Sequence, residues 1–127
     1  MLGSSQCAAT IAVKDIGVGR AFYRDTLGLK VAQEIDPETM AFEAGNGSMI
    51  LVYQRPNHQP SAATVLSFQV DNLDSQIADL EGRGVQFEDY DLPGLKTVNH
   101  VVTMPDGSGK AAWFTDPDGN IVSLAEM

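Results

Sequence analysis

Few residues in this chain are equipped for chemistry. The two histidines, His58 and His100, are 42 positions apart, and the only cysteine is Cys7. His58 lies in Arg55-Pro56-Asn57-His58-Gln59-Pro60-Ser61, where two prolines and no apolar period predict a surface linker. His100 falls in Thr97–Met104, which is expected to be a strand, and a lone strand histidine is more often structural than reactive. Ser67 and Ser123 lack the Gly-x-Ser-x-Gly elbow that a serine nucleophile uses, so both read as ordinary strand serines. Glu88-Asp89-Tyr90-Asp91 gathers three carboxylates that could attract a cation, but the favoured reading is a solvated acidic loop. Gly17, Gly19, Gly45, Gly47, Gly107 and Gly109 form spaced pairs without the strand-to-helix G-x-G-x-x-G pattern of a dinucleotide site. They read as turn or helix-start glycines. Tyr53, Trp113, His100, Met40 and Phe42 have the mix of apolar bulk and polar tips that lines small-molecule pockets, and core packing would use the same residues.

The elements that must position these side chains come in a repeating order. Ala8–Val13 reads as a strand, after which Asp15 caps a helix carrying Val18, Ala21, Phe22 and Leu27 and ending at Gly28. Leu29–Ile35, Thr39–Ala44 and Ser48–Gln54 follow as strands, with turns at Asp36-Pro37-Glu38 and Gly45-Asn46-Gly47. The order is β-α-β-β-β. Beyond the linker, Thr64–Val70 is a strand, and Asn72 or Asp74 caps a helix bearing Leu73, Ile77 and Leu80, closed by Gly82 and Gly84. Val85–Phe87 is a short strand, Asp91–Lys96 a loop, and Thr97–Met104, Lys110–Thr115 and Asn120–Ala125 complete the second set. Ala8 matches Val65 and Val13 matches Val70 at an offset of 57, whereas Ala41-Phe42 matches Trp113-Phe114 and Met49-Ile50-Leu51 matches Ile121-Val122-Ser123 at 72. The chain therefore divides into a first unit at 7–54, a linker at 55–62 and a second unit at 63–127, within one domain of 127 residues. The fold class is α+β, with two βαβββ units forming a curved mixed sheet with a cleft.

Composition narrows the partners. A 43% hydrophobic content suffices for one core without disulfides, and eight basic against seventeen acidic side chains give a net charge of −9. That charge repels a phosphate backbone, so nucleic acid is not an expected partner, while a cationic small molecule would be attracted. No stretch approaches the roughly 18 apolar residues of a membrane span, and nothing at the start resembles a secretion signal, which makes a cytoplasmic protein the default expectation.

Two stretches carry a family resemblance. Val13-Lys14-Asp15-Ile16 with Ala21-Phe22-Tyr23-Arg24-Asp25-Thr26-Leu27-Gly28-Leu29 resembles the opening V-x-D…F-Y-x-x-x-L-G-L signature of the vicinal oxygen chelate superfamily. Trp113-Phe114-Thr115-Asp116-Pro117-Asp118-Gly119-Asn120-Ile121 is similar to its closing F-x-D-P-D-G-N hairpin. The superfamily comprises glyoxalases, ring-cleaving dioxygenases and bleomycin-resistance proteins. Both signatures are structural, so they identify a scaffold and leave function to the site.

The resemblance implies metal ligands on the first and last strands of each unit. Carried onto this chain, those places are Ala8, Leu51, Val65 and Ser123, three apolar residues and one weak hydroxyl donor. A slip of two residues keeps the strand face and substitutes Gln6, Tyr53, Ser67 and Ala125, or Thr10, Met49, Ala63 and Ile121. No set supplies three good ligands, and Glu126 falls on the opposite face from Ser123. The expected protein has no metal or other cofactor and binds a small molecule through Ala8, Leu51, Tyr53, Val65, Ser67, His100, Trp113 and Ser123. It sequesters a cationic or aromatic compound in an apolar cleft, much as a bleomycin-resistance protein does. The alternative is a lyase, isomerase or dioxygenase of the same superfamily. The resemblance also implies a homodimer, for which exposed sheet edges would serve.

Overall fold

The computed structural model describes residues 1–127, which form two compact units, Met1–Gln59 and Pro60–Met127. In the first unit, β1 (Ala8–Val13) leads into α1 (Ile16–Arg20), and β2 (Lys30–Asp36), β3 (Thr39–Glu43) and β4 (Met49–Gln54) follow. The sheet order is β1-β4-β3-β2, with β1 parallel to β4 and the other pairs antiparallel. Alternation sends Ile11, Val13, Met40, Phe42, Ile50 and Val52 to one face, where all are buried under the helical segment. Met40 and Phe42 therefore belong to the core. Gly19 is needed there, because a Cβ would come within 3.0 Å of Val13 Cγ2.

The helix departs from its expected pattern. After Arg20 it widens into a π-type turn, Ala21–Thr26, in which the Leu27 N–H reaches back five residues to the Phe22 carbonyl at 2.9 Å. The wider turn shifts the phase of the buried stripe. Tyr23 becomes fully buried against Phe42, with ring centroids 6.2 Å apart, while Val18 and Ala21, expected on the inner face, are exposed. Gly28, at φ 78°, then closes the segment as expected.

The second unit repeats this plan with insertions. β5 (Thr64–Gln69) leads into α2 (Leu73–Gly82), and β8 (Val102–Thr103), β9 (Lys110–Thr115) and β10 (Ile121–Glu126) complete a sheet ordered β5-β10-β9-β8. Leu73, Ile77 and Leu80 are buried, as are Ala112, Phe114, Val122 and Leu124 on the sheet. Between α2 and β9, three expectations fail. Val85–Phe87 makes only a single bridge, Phe87 to Phe114. Asp91–Lys96 is a small hairpin of β6 (Asp91–Leu92) and β7 (Leu95–Lys96), turned at Gly94. Thr97–Met104 is broken at Asn99 and His100, whose φ angles are 51° and 73°. Val98 and Val101 exchange both backbone hydrogen bonds, at 2.8 and 3.1 Å, so these two residues form the tip of a tight hairpin. Runs of β-branched residues predict extended backbone but carry no sign of a left-handed pair made without glycine.

The repeat extends to hydrogen bonds that join strand to helix. In the first unit the last residue of β4, Gln54, accepts the Ile16 N–H at 3.0 Å, while Asp15 accepts those of Gly17 and Val18 at 2.8 and 3.2 Å. In the second, Glu126 at the end of β10 accepts the Leu73 N–H at 2.8 Å, while Asn72 accepts that of Ser75 at 3.0 Å. Each helix start thus has its orphan donors satisfied by its own cap and by a side chain from the far end of the sheet. Ile16 to Leu73 is an offset of 57 and Gln54 to Glu126 is 72. The inserted hairpin and turn account for the difference. Gly109 lets the last strand pass, since a Cβ there would sit 2.7 Å from the Glu126 carbonyl oxygen.

Candidate functional site

Each sheet has a second face, opposite its buried one. In the first unit, Thr10, Leu51 and Ala41 are in register across three strands, flanked by Ala8 opposite Met49 and Ala12 opposite Tyr53. Ala8 and Thr10 are exposed, and Leu51 and Tyr53 are half-exposed. Ala8 and Leu51 are thus not direct partners, and the residue facing Leu51 across the parallel pair is Thr10. Register decides this, and register between distant strands is invisible in a single strand's sequence.

The second unit presents Ser67, Ser123 and Trp113 in the equivalent row. The two serine hydroxyls are 2.5 Å apart, so one donates to the other; Ser123 is buried and Ser67 is exposed, so the pair is open to a ligand on the Ser67 side. Trp113 meets Tyr90 edge-on at a centroid distance of 5.5 Å, which builds an aromatic wall beside the hydroxyls. Tyr90 lies in the acidic loop that sequence reasoning set aside. Val65 sits in a bulge where pairing steps from Thr64–Ile121 to Leu66–Val122, and it is 38% exposed.

Burial, and secondarily the carboxylate of Glu88, raises the Tyr90 hydroxyl above its ordinary value. The unfolded chain then ionises first as pH rises, so any stability linked to this group is intact below about pH 10 and is lost as pH passes the raised value. The side chain is partly solvated, so the effect is modest. Melting curves between about pH 9.5 and 11.5 should fall more steeply for the native protein than for Tyr90→Phe. Parallel curves would remove Tyr90 as the cause.

His100 joins neither face's row. Its Nδ1 lies 3.0 Å from Asp89 Oδ2, its Nε2 lies 3.6 Å from Glu81 Oε2, and its ring is 6.2 Å from that of Phe87. The Nδ1–Oδ2 approach is close in distance but poorly aligned for a hydrogen bond. Asp89 is better engaged elsewhere, since its Oδ1 accepts the His100 N–H at 3.0 Å and the Thr97 hydroxyl at 3.1 Å. The acidic loop is therefore partly a brace that holds the Asn99–His100 turn.

These residues do not suit a catalytic metal. The in-register positions are Thr10, Leu51, Ser67 and Ser123, which offer hydroxyls and an isobutyl group where a divalent cation needs imidazole or carboxylate donors. No group of three or more His, Cys, Asp or Glu side chains is arranged to hold a metal ion.

Comparison with known proteins places the scaffold. Residues 5–124 match the family model of the Glyoxalase/Bleomycin resistance protein/Dioxygenase superfamily, and the chain belongs to that superfamily. It is 28% identical over 140 aligned positions to "Uncharacterized protein YaeR" of Escherichia coli strain K12, with 100% of both chains covered. A lactoylglutathione lyase from Agrobacterium tumefaciens superposes with a TM-score of 0.71 at 21% identity, covering 97% of this chain and 93% of its own. The genomically encoded fosfomycin resistance protein FosX of Listeria monocytogenes gives 0.74 at 17% identity, covering 98% and 93% respectively. At these identities the two structures share the fold, and no activity transfers with it. No helix is long and apolar enough to cross a membrane.

Proposed function

We propose that the protein is a metal-independent binder of small cationic or aromatic compounds, and that it works by sequestration. The observation that carries this reading is the row Ser67–Ser123–Trp113. It offers a hydroxyl pair and an indole, braced by Tyr90, and it includes Ser123, one of the four places where the family resemblance implies a metal ligand in metal-dependent members. An indole face attracts a planar cation through its quadrupole, and hydroxyls orient it. The net charge of −9 raises the local concentration of such a ligand. The first unit's own sheet presents a separate apolar surface through Ala8, Leu51 and Tyr53. A homodimer is part of the proposal, supported by the open edges that β2 and β8 leave in their sheets.

The test is calorimetric titration of chelator-dialysed protein with the planar cation proflavine, alone and with nickel, manganese, zinc or iron(II). Saturable binding without metal, unaltered by added ions, is the expected result. Binding that appears only with a stoichiometric metal would reverse the reading in favour of a lyase, isomerase or dioxygenase.

A further inference from the structure

The second unit carries a groove of about 510 Å³ away from the Ser67–Ser123–Trp113 row, and that volume suits a small metabolite. Two of the eight basic side chains in the whole protein, Lys96 and Lys110, line it. Asn99 and Thr103 add an amide and a hydroxyl, and Val98 and Val101 add apolar surface, with Val98 68% exposed. Asp74 also lines the groove and pairs with Lys110, whereas Lys96, near the exposed Val98, has no such structural role.

The local charge is asymmetric. Lys110 Nζ is 3.8 Å from Asp74 Oδ2 and 3.8 Å from Glu126 Oε2, so its charge is largely compensated. Lys96 has no carboxylate within ion-pair distance, so two lysines and two carboxylates leave the groove neutral as a whole but with one unpaired ammonium, that of Lys96. One wall is the Asn99–His100 turn, two consecutive non-glycine residues with positive φ, held by Asp89 through the His100 N–H and the Thr97 hydroxyl. Left-handed backbone without glycine is costly, and where neighbours enforce it the rigidity serves to pre-shape a surface.

We infer that this groove binds a small monocarboxylate with a short branched aliphatic body. Its carboxylate is drawn to Lys96 and hydrogen-bonded by Asn99 or Thr103, and its body covers Val98 and Val101. A dianion such as phosphate fits less well, because Asp74 and Glu126 repel the second charge and the valines stay uncovered. The inference does not depend on the binding reading above, since it uses none of the same residues.

The experiment is a titration of isotopically labelled protein with isovalerate at constant ionic strength, followed by amide NMR, with inorganic phosphate and chloride run in parallel. Isovalerate should give saturable shifts concentrated in residues 96–104 and near Asp74 and Lys110. Lys96→Gln should weaken binding at least about fivefold, and Asp74→Asn, which removes the opposing carboxylate, should strengthen it about twofold. Linear or dispersed shifts, equal responses to phosphate or chloride, or unaltered affinity in both variants would overturn the inference. Both changes are at solvent-exposed polar side chains, so the folded state should survive them.

Discussion

Replacing Asp116 by Ala should lower the unfolding free energy by about 3 kcal/mol, a large share of what a domain of this size possesses. The carboxylate is only 3% exposed and is saturated with donors. Oδ1 accepts the Asp118 and Asn120 N–H groups, both at 2.9 Å, and Oδ2 accepts the Asn120 amide at 2.8 Å. The Asp116 N–H in turn donates to the Asn120 carbonyl at 2.9 Å, and Asn120 is itself 2% exposed. Truncation strips three donors of their acceptor inside the β9–β10 connection, and the two on Asn120 are buried away from solvent that could compensate. Asp116→Asn separates charge from shape. It keeps one acceptor oxygen but turns an amide towards a donor in place of Oδ2, so it should cost less than Ala and more than nothing. Urea denaturation of both variants measures this. A loss below about 1 kcal/mol for Asp116→Ala would mean that the turn is held chiefly by Gly119 and the strands it joins.

Trp113→Ala should reduce proflavine affinity roughly thirtyfold, corresponding to about 2 kcal/mol, the usual effect of removing an aromatic anchor. The indole is half-exposed, so its loss should cost less in stability than it does in binding. Trp113→Phe preserves a ring next to Tyr90 and should recover most of the affinity. Because Trp113 is the only tryptophan, its variants must be compared by calorimetry and not by intrinsic fluorescence. Leu51→Glu tests the first unit separately, by placing a carboxylate in the row with Thr10 and Ala41. If Trp113→Ala leaves affinity unaltered while Leu51→Glu abolishes it, the ligand is held by the first unit's face and the hydroxyl–indole row is not the site.

The superfamily assignment needed only the chain. Its opening and closing signatures are short-range patterns, in which a cap, a helix stripe and a turn each obey local rules, and the two offsets of 57 and 72 already separate a conserved plan from inserted loops. Asp15 and Asn72 are caps, and Gly28 ends its helix, because capping is decided within a few residues. Long-range register was not legible. Thr10 faces Leu51, Tyr90 in the acidic loop braces Trp113, and Glu126 reaches α2 from the end of β10. His100 illustrates the same limit, since its strand-like neighbours concealed a left-handed turn that Asp89, eleven residues earlier, holds in place. Local sequence determined which elements form and how they begin and end, because those choices are made by neighbours in the chain. Tertiary structure alone decided which side chains meet, because a pleated strand exposes alternate residues and only its pairing with a distant strand selects their partners.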